Sequence, residues 1–128
     1  VTTRSAGGSR ERSGDHMPTT VFETLIANAT PLPPGARVQS SVIDVSGARD
    51  VNLMFGIINN DPGVRWAIHF GPTTNNAYAL CRQGTFGSQN HQAISIPVFG
   101  TGLFIVVTNQ GQNNQHVDGK VYFIREVP

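Results

Sequence analysis

Charge is scarce in this chain. Asp, Glu, Lys and Arg make up 13% of its 128 residues, about half the share of roughly 25% in ordinary globular domains, and the net charge is +1. So weak a field recruits neither nucleic acid nor an anionic membrane. Cysteine occurs once, at Cys81, which excludes an internal disulfide framework and a Cys-based zinc site. Within the strand-like run AYALCR that lone thiol reads as a small apolar filler. No apolar run approaches the roughly 20 residues that a membrane helix needs. Helical periodicity over three turns is missing, as are the GxGxxG, P-loop, HExxH and nucleophile-elbow patterns. No metal, cofactor or catalytic machinery is therefore expected.

What is present is turn chemistry. Gly occurs 14 times, Pro 8, Asn ten and Gln seven. The length suits one domain, and it divides by composition. Residues 1–20, VTTRSAGGSRERSGDHMPTT, hold Gly, Ser, Thr and alternating charges with almost nothing apolar. Such a stretch cannot offset the roughly 1–2 kcal/mol per residue lost on ordering its backbone. We read it as a polar arm that gains order only from a second molecule, followed by a single β-sandwich domain over 21–128. Arg4, Arg10 and Arg12 in the arm are diluted by Glu11 and Asp15 and have no aromatic platform, so a nucleic-acid partner is not expected. The start at Val1 is what removal of a signal peptide or of an initiator Met would leave.

From Val21 onward, short alternating runs are separated by Gly, Pro, Asn or Asp. Val64, Trp66, Ile68 and Phe70 alternate with Arg65, Ala67 and His69, the period of a half-buried strand. Val51, Leu53, Phe55 and Ile57 alternate likewise, and the NNDPG between the two runs predicts a hairpin. Further strands are expected at 21–27, 38–45, 77–83, 94–98, 104–108 and 117–127, eight in all. Even spacing of short antiparallel strands points to a β-sandwich, with eight favouring a jelly roll. PLPPG at 31–35 stops any ladder and marks the crossing out of an edge strand.

Individual residues allow several chemistries. Asp44 and Asp50 flank the VSGAR loop, the only acid pair that suggests a hydrolase, and a structural role in the loop is the better explanation of the pair. Asp61 belongs to a turn, and His69 sits on the polar row of its strand as a surface histidine. Trp66 shares its row with core residues. The sequon Asn28-Ala29-Thr30 matters only in a eukaryotic secretory setting. Amides cluster in NQGQNNQ at 109–115, TNN at 74–76 and SQNHQ at 88–92, and they offer donors and acceptors together. With an exposed ring they would suit a glycan, through Tyr78 or Tyr122 with Asn109, Gln112, Asn113 and Asn114.

The leading expectation is a non-enzymatic structural subunit that assembles with copies of itself, as a filament, shell or shell decoration. It would act outside the cell or within an assembled particle. VFETLIANATP at 21–31 follows the arm and precedes the Pro-rich hinge, so this strand can be exchanged onto a neighbouring sheet. Val21, Phe22, Leu25 and Ile26 are the expected contacts. The alternative is a secreted glycan-binding β-sandwich module.

Overall fold

A computed structural model describes residues 18–71, 78–87 and 89–126. Among these there is no helix. The nine strands are β1 (Thr19–Leu32), β2 (Arg37–Gln39), β3 (Ile43–Asp44), β4 (Asp50–Ile57), β5 (Val64–Gly71), β6 (Ala79–Thr85), β7 (His91–Pro97), β8 (Gly102–Asn109) and β9 (Gln115–Arg125). They form two antiparallel sheets. One has the order β1-β9-β4-β7; the other runs β2-β8-β5-β6, with the short β3 also paired to β8.

The alternation in the sequence explains why the sheets face each other. Val51, Leu53, Phe55 and Ile57 of β4 turn to the same interior as Trp66, Ile68 and Phe70 of β5, and all are buried. Phe55 meets Trp66 edge-on at 5.4 Å and Phe86 at 5.9 Å between ring centroids. Leu103, Ile105 and Val107 of β8 and Val117, Val121 and Phe123 of β9 complete the core. Burying each such side chain contributes about 1.5–3 kcal/mol before entropy is subtracted.

Three expectations need correction. The NNDPG segment does not close a hairpin: β4 and β5 lie in different sheets and share no ladder. Their apolar rows face each other across the core, so the turn is an arch between layers. Secondly, the strand expected over 38–45 is two strands, β2 and β3. Ser40 accepts the Ile105 N–H through its hydroxyl at 2.9 Å while its own N–H donates to the Ile105 carbonyl at 2.9 Å. A side-chain oxygen thus replaces a ladder carbonyl, and the strand breaks there, giving nine strands instead of eight. Thirdly, Cys81 is exposed on the edge strand β6 and fills nothing.

The first strand is longer than expected, because the eleven-residue β9 supplies partners from Thr19 to Leu32. Register shifts at Val117/Gly119 and Gly119/Lys120 accommodate the extra residues of β1, and Ala29 takes a positive φ of 62°. Thr19 and Thr20, assigned to the arm by composition, open β1; the remainder of the arm up to residue 17 lies outside the described residues. The PLPPG segment does carry the chain from one sheet to the other.

One end of the sandwich is tied by polar side chains. Asn109 is fully buried. Its amide donates to the carbonyls of Leu32 (2.9 Å) and Asn113 (2.8 Å), and its oxygen accepts the Gly111 N–H (2.9 Å). Asp61, from the β4–β5 arch, accepts the N–H groups of Gly63 (2.8 Å) and Gln112 (3.2 Å). Gln115 bonds both the N–H and the carbonyl of Asn59. Loops distant in sequence are held together here by side chains that would be costly to bury unpaired.

Candidate functional site

Period-two alternation that buries one row of each strand turns the other row outward. On the outer face of the β1-β9-β4-β7 sheet the pairing register places Phe22, Tyr122, Asn52 and Ser95 in one line across four strands. The next line is Thr24, Lys120, Met54 and Ala93, and the one after it contains Asp118, Gly56 and His91. Phe22 is 61% exposed and Tyr122 38%, and their rings lie nearly parallel, 11° apart with centroids at 6.3 Å. Met54 and Ile124 are exposed as well, so an apolar belt crosses β1, β9 and β4.

Beside the belt the face is hollowed. A cleft of about 600 Å³ is lined by Met54, Gln89, His91, Gln92, Asp118 and Lys120. A second hollow of about 420 Å³ shares His91 and Asp118 and adds Asn28, Asn90 and His116. Tyr122 and Asn52 border a smaller one of about 180 Å³, which meets the first at Met54 and Ala93. His91 reaches inward over the sheet because Gly56 has no side chain. A Cβ at residue 56 would stand 2.5 Å from His91 Cδ2 and 2.9 Å from Nε2. Although it points outward, Gly56 is buried under this ring.

The sequence-derived candidates are distributed unevenly over this geometry. Phe22 is exposed and Val21 half-buried, but Leu25 and Ile26 are 5% and 4% exposed, inside the chain's own core. The irregular register turns both toward the interior, so an exchanged strand would carry them into a neighbour's core and not onto its surface. Among the glycan candidates, Asn109 is buried, with both amide hydrogens and its oxygen engaged in the loops described above. Gln112, Asn113 and Asn114 lie in that same loop, some 24 Å along β9 from Tyr122 at about 3.4 Å per residue. Tyr78 precedes β6 in the opposite sheet, edge-on to Phe104 at 5.0 Å. The structure therefore brings Phe22 and Tyr122 together, one from each rival set, and leaves the 109–114 loop and Tyr78 away from them. The amides at 74–76 lie outside the described residues.

Asp44 and Asp50 are not drawn into one cleft among the described residues. Asp44 accepts the Ser46 hydroxyl at 2.7 Å and its N–H at 2.9 Å, and Arg125 binds its backbone carbonyl. The two Ser46 bonds, helped by the Arg125 charge, hold the carboxyl below its ordinary range. His69 is no simple surface histidine. Its ring stacks on Phe104 at 4.7 Å, and desolvation, with the Arg37 charge second, lowers its pKa below the usual value.

Asp118, Lys120 and Met54 are not among the sequence-derived binding candidates, whereas His91 lies within the SQNHQ segment. One signal was available: His116, Asp118, Lys120 and Tyr122 recur at period two in HVDGKVY, an outward row of mixed chemistry. No group of three or more His, Cys, Asp or Glu suited to a metal occurs among the described residues. No protein-family model matches the chain, and no curated protein resembles it.

Proposed function

We propose that the chain is a non-enzymatic structural subunit that assembles with copies of itself through β1 and the polar arm. The observation that carries this reading is the side of the sandwich formed by β1. This fourteen-residue strand pairs with β9 on one side, no strand of the described residues lies on its other side, and Phe22 stands exposed at the same border. A long edge is a template for strand addition, and natural folds usually shorten or cover theirs. The low charge lets copies approach without strong repulsion.

We also read the fold as a jelly roll. With β2 and β3 counted as one strand, the eight strands order as 1-8-3-6 and 2-7-4-5. That alternation between layers supports two nested Greek keys, an architecture shared by shell-forming and lectin domains. The architecture alone does not choose between such roles.

Size-exclusion chromatography with light scattering tests the assembly. Intact protein is expected to run as species well above 13.8 kDa, and deletion of residues 1–18 or the change Phe22→Ser to give smaller ones. A monomer for the intact chain at all concentrations refutes the proposal. The glycan reading is favoured by the exposed Tyr122 ring beside the cleft.

A further inference from the structure

We infer that the cleft on the β1-β9-β4-β7 face binds an extended neutral saccharide, with His91 and Asp118 as its central polar contacts and Tyr122 and Met54 as its apolar ones. This goes beyond assembly, and of the amide clusters in the sequence it uses SQNHQ at 88–92 with Tyr122, not the 109–115 loop.

The two hollows meet at the His91–Gly56–Asp118 line, and the smaller one by Tyr122 extends them. Together they follow the outer row of β4 and its continuation from Asn52 to Ile58, about 20 Å at 3.4 Å per residue. That length suits a chain of several sugar rings better than a compact metabolite. His91 and Asp118 lie two strands apart, so their backbones are separated by about 10 Å. His91 is laid across the intervening Gly56 and narrows that gap. The missing side chain at residue 56 therefore both makes room for the ring and fixes where it lies.

The lining chemistry selects the ligand class. Gln89 offers a donor and an acceptor, the pairing that a sugar hydroxyl needs, while Asn90 and Gln92, which give one amide hydrogen to the carbonyls of Ile58 (3.0 Å) and Phe86 (3.4 Å), keep their oxygen and a second hydrogen. Asp118 and Lys120 cancel each other's charge, so neither an anion nor a cation is favoured. A nucleic acid would require several cations in concert, and Lys120 is the only one lining this cleft. A peptide would be expected to add along a strand edge instead of lying over a sheet face. Exposed Tyr122 and Met54 supply flat and soft apolar surfaces for the C–H faces of sugar rings.

The probes are cellohexaose, xylohexaose, mannohexaose and maltohexaose, with a hexagalacturonate and a heparin hexasaccharide as charged counterparts. Binding is measured by calorimetry and by NMR shifts of the histidine ring protons. At least one neutral hexasaccharide is expected to bind and to move the His91 resonances of the unaltered protein. Asp118→Ala and His91→Ala, checked for unchanged melting, should each weaken it about ten-fold or more. Deletion of residues 1–18 should leave sugar binding intact, so failure of assembly and failure of binding are read separately. The inference is overturned if no neutral sugar binds, if only the charged ones do, or if affinity survives both substitutions.

Discussion

Replacing Asn109 separates a structural amide from a binding one. In Asn109→Ala the Leu32 carbonyl loses its donor in a buried setting, which costs about 1–3 kcal/mol. The Asn113 carbonyl and the Gly111 N–H are only partly buried, so water can replace their partner, and each adds about 0.5–1 kcal/mol. The expected total is about 2–5 kcal/mol. For a domain of this length each kcal/mol moves the melting midpoint by about 4 °C, so a drop of about 8–20 °C follows. Circular dichroism melts together with urea titration measure it. Asn109→Asp should be no better, because the carboxylate keeps an acceptor for Gly111 but loses both donors. Gln112→Ala, an exposed side chain of the same loop, should stay within about 0.5 kcal/mol of the parent. A midpoint shift below about 2 °C in Asn109→Ala would show that these three bonds do not hold the loops, and the amide cluster would again be open to a binding role.

Other consequences can be checked as directly. Gly84→Ala puts a Cβ 2.6 Å from Trp66 Cζ2, and the buried indole, anchored at 3.3 Å to the Thr85 carbonyl, has little room to yield. The expected loss is about 1–3 kcal/mol, with a changed emission spectrum from the chain's single tryptophan. His69 is a base whose folded pKa is lowered, so the unfolded chain binds more protons below about 6.5. Stability should therefore fall as pH drops from 7.5 to 5.5, and His69→Phe should flatten this slope in thermal melts. Asp44 has a lowered pKa for the opposite kind of group: its stabilisation is present above about 3.8 and is lost as pH falls through the lower folded value. Ser46→Ala should remove part of that acid sensitivity, by less than about 1 kcal/mol because the pair is exposed.

The layers of this fold were legible because alternation is local. Val51 to Ile57 and Val64 to Phe70 name their buried rows without reference to any partner, and Trp66 was correctly placed among core residues. Pairing is not local. NNDPG has the chemistry of a reversal, and the same residues serve a hairpin or an arch, so only the ladders of β9, β7, β8 and β6 decide between them. The fate of residues 38–45 turned on one hydroxyl bonding to Ile105, which no periodicity records. The candidate site failed to show for the same reason. His91, Gly56 and Asp118 are far apart in sequence and become neighbours only through strand order. Asn109 misled in the other direction, since an amide in a polar loop looks solvent-facing until the loops close around it.

Among the described residues, the first strand of this sandwich pairs only with the last, from Leu32 opposite Gln115 to Thr19 opposite Arg125. On the ribosome, β1 must therefore wait while about a hundred further residues are made, some 5–20 s at ordinary elongation rates. Throughout that interval its ladder groups have no mate in their own chain, and neighbouring nascent chains on the same message are in the same condition. A crossed pairing between two such chains would use the same register and bury the same side chains. If copies join as proposed, this wait during synthesis adds an opening for exchange to the one that the finished β1 edge presents.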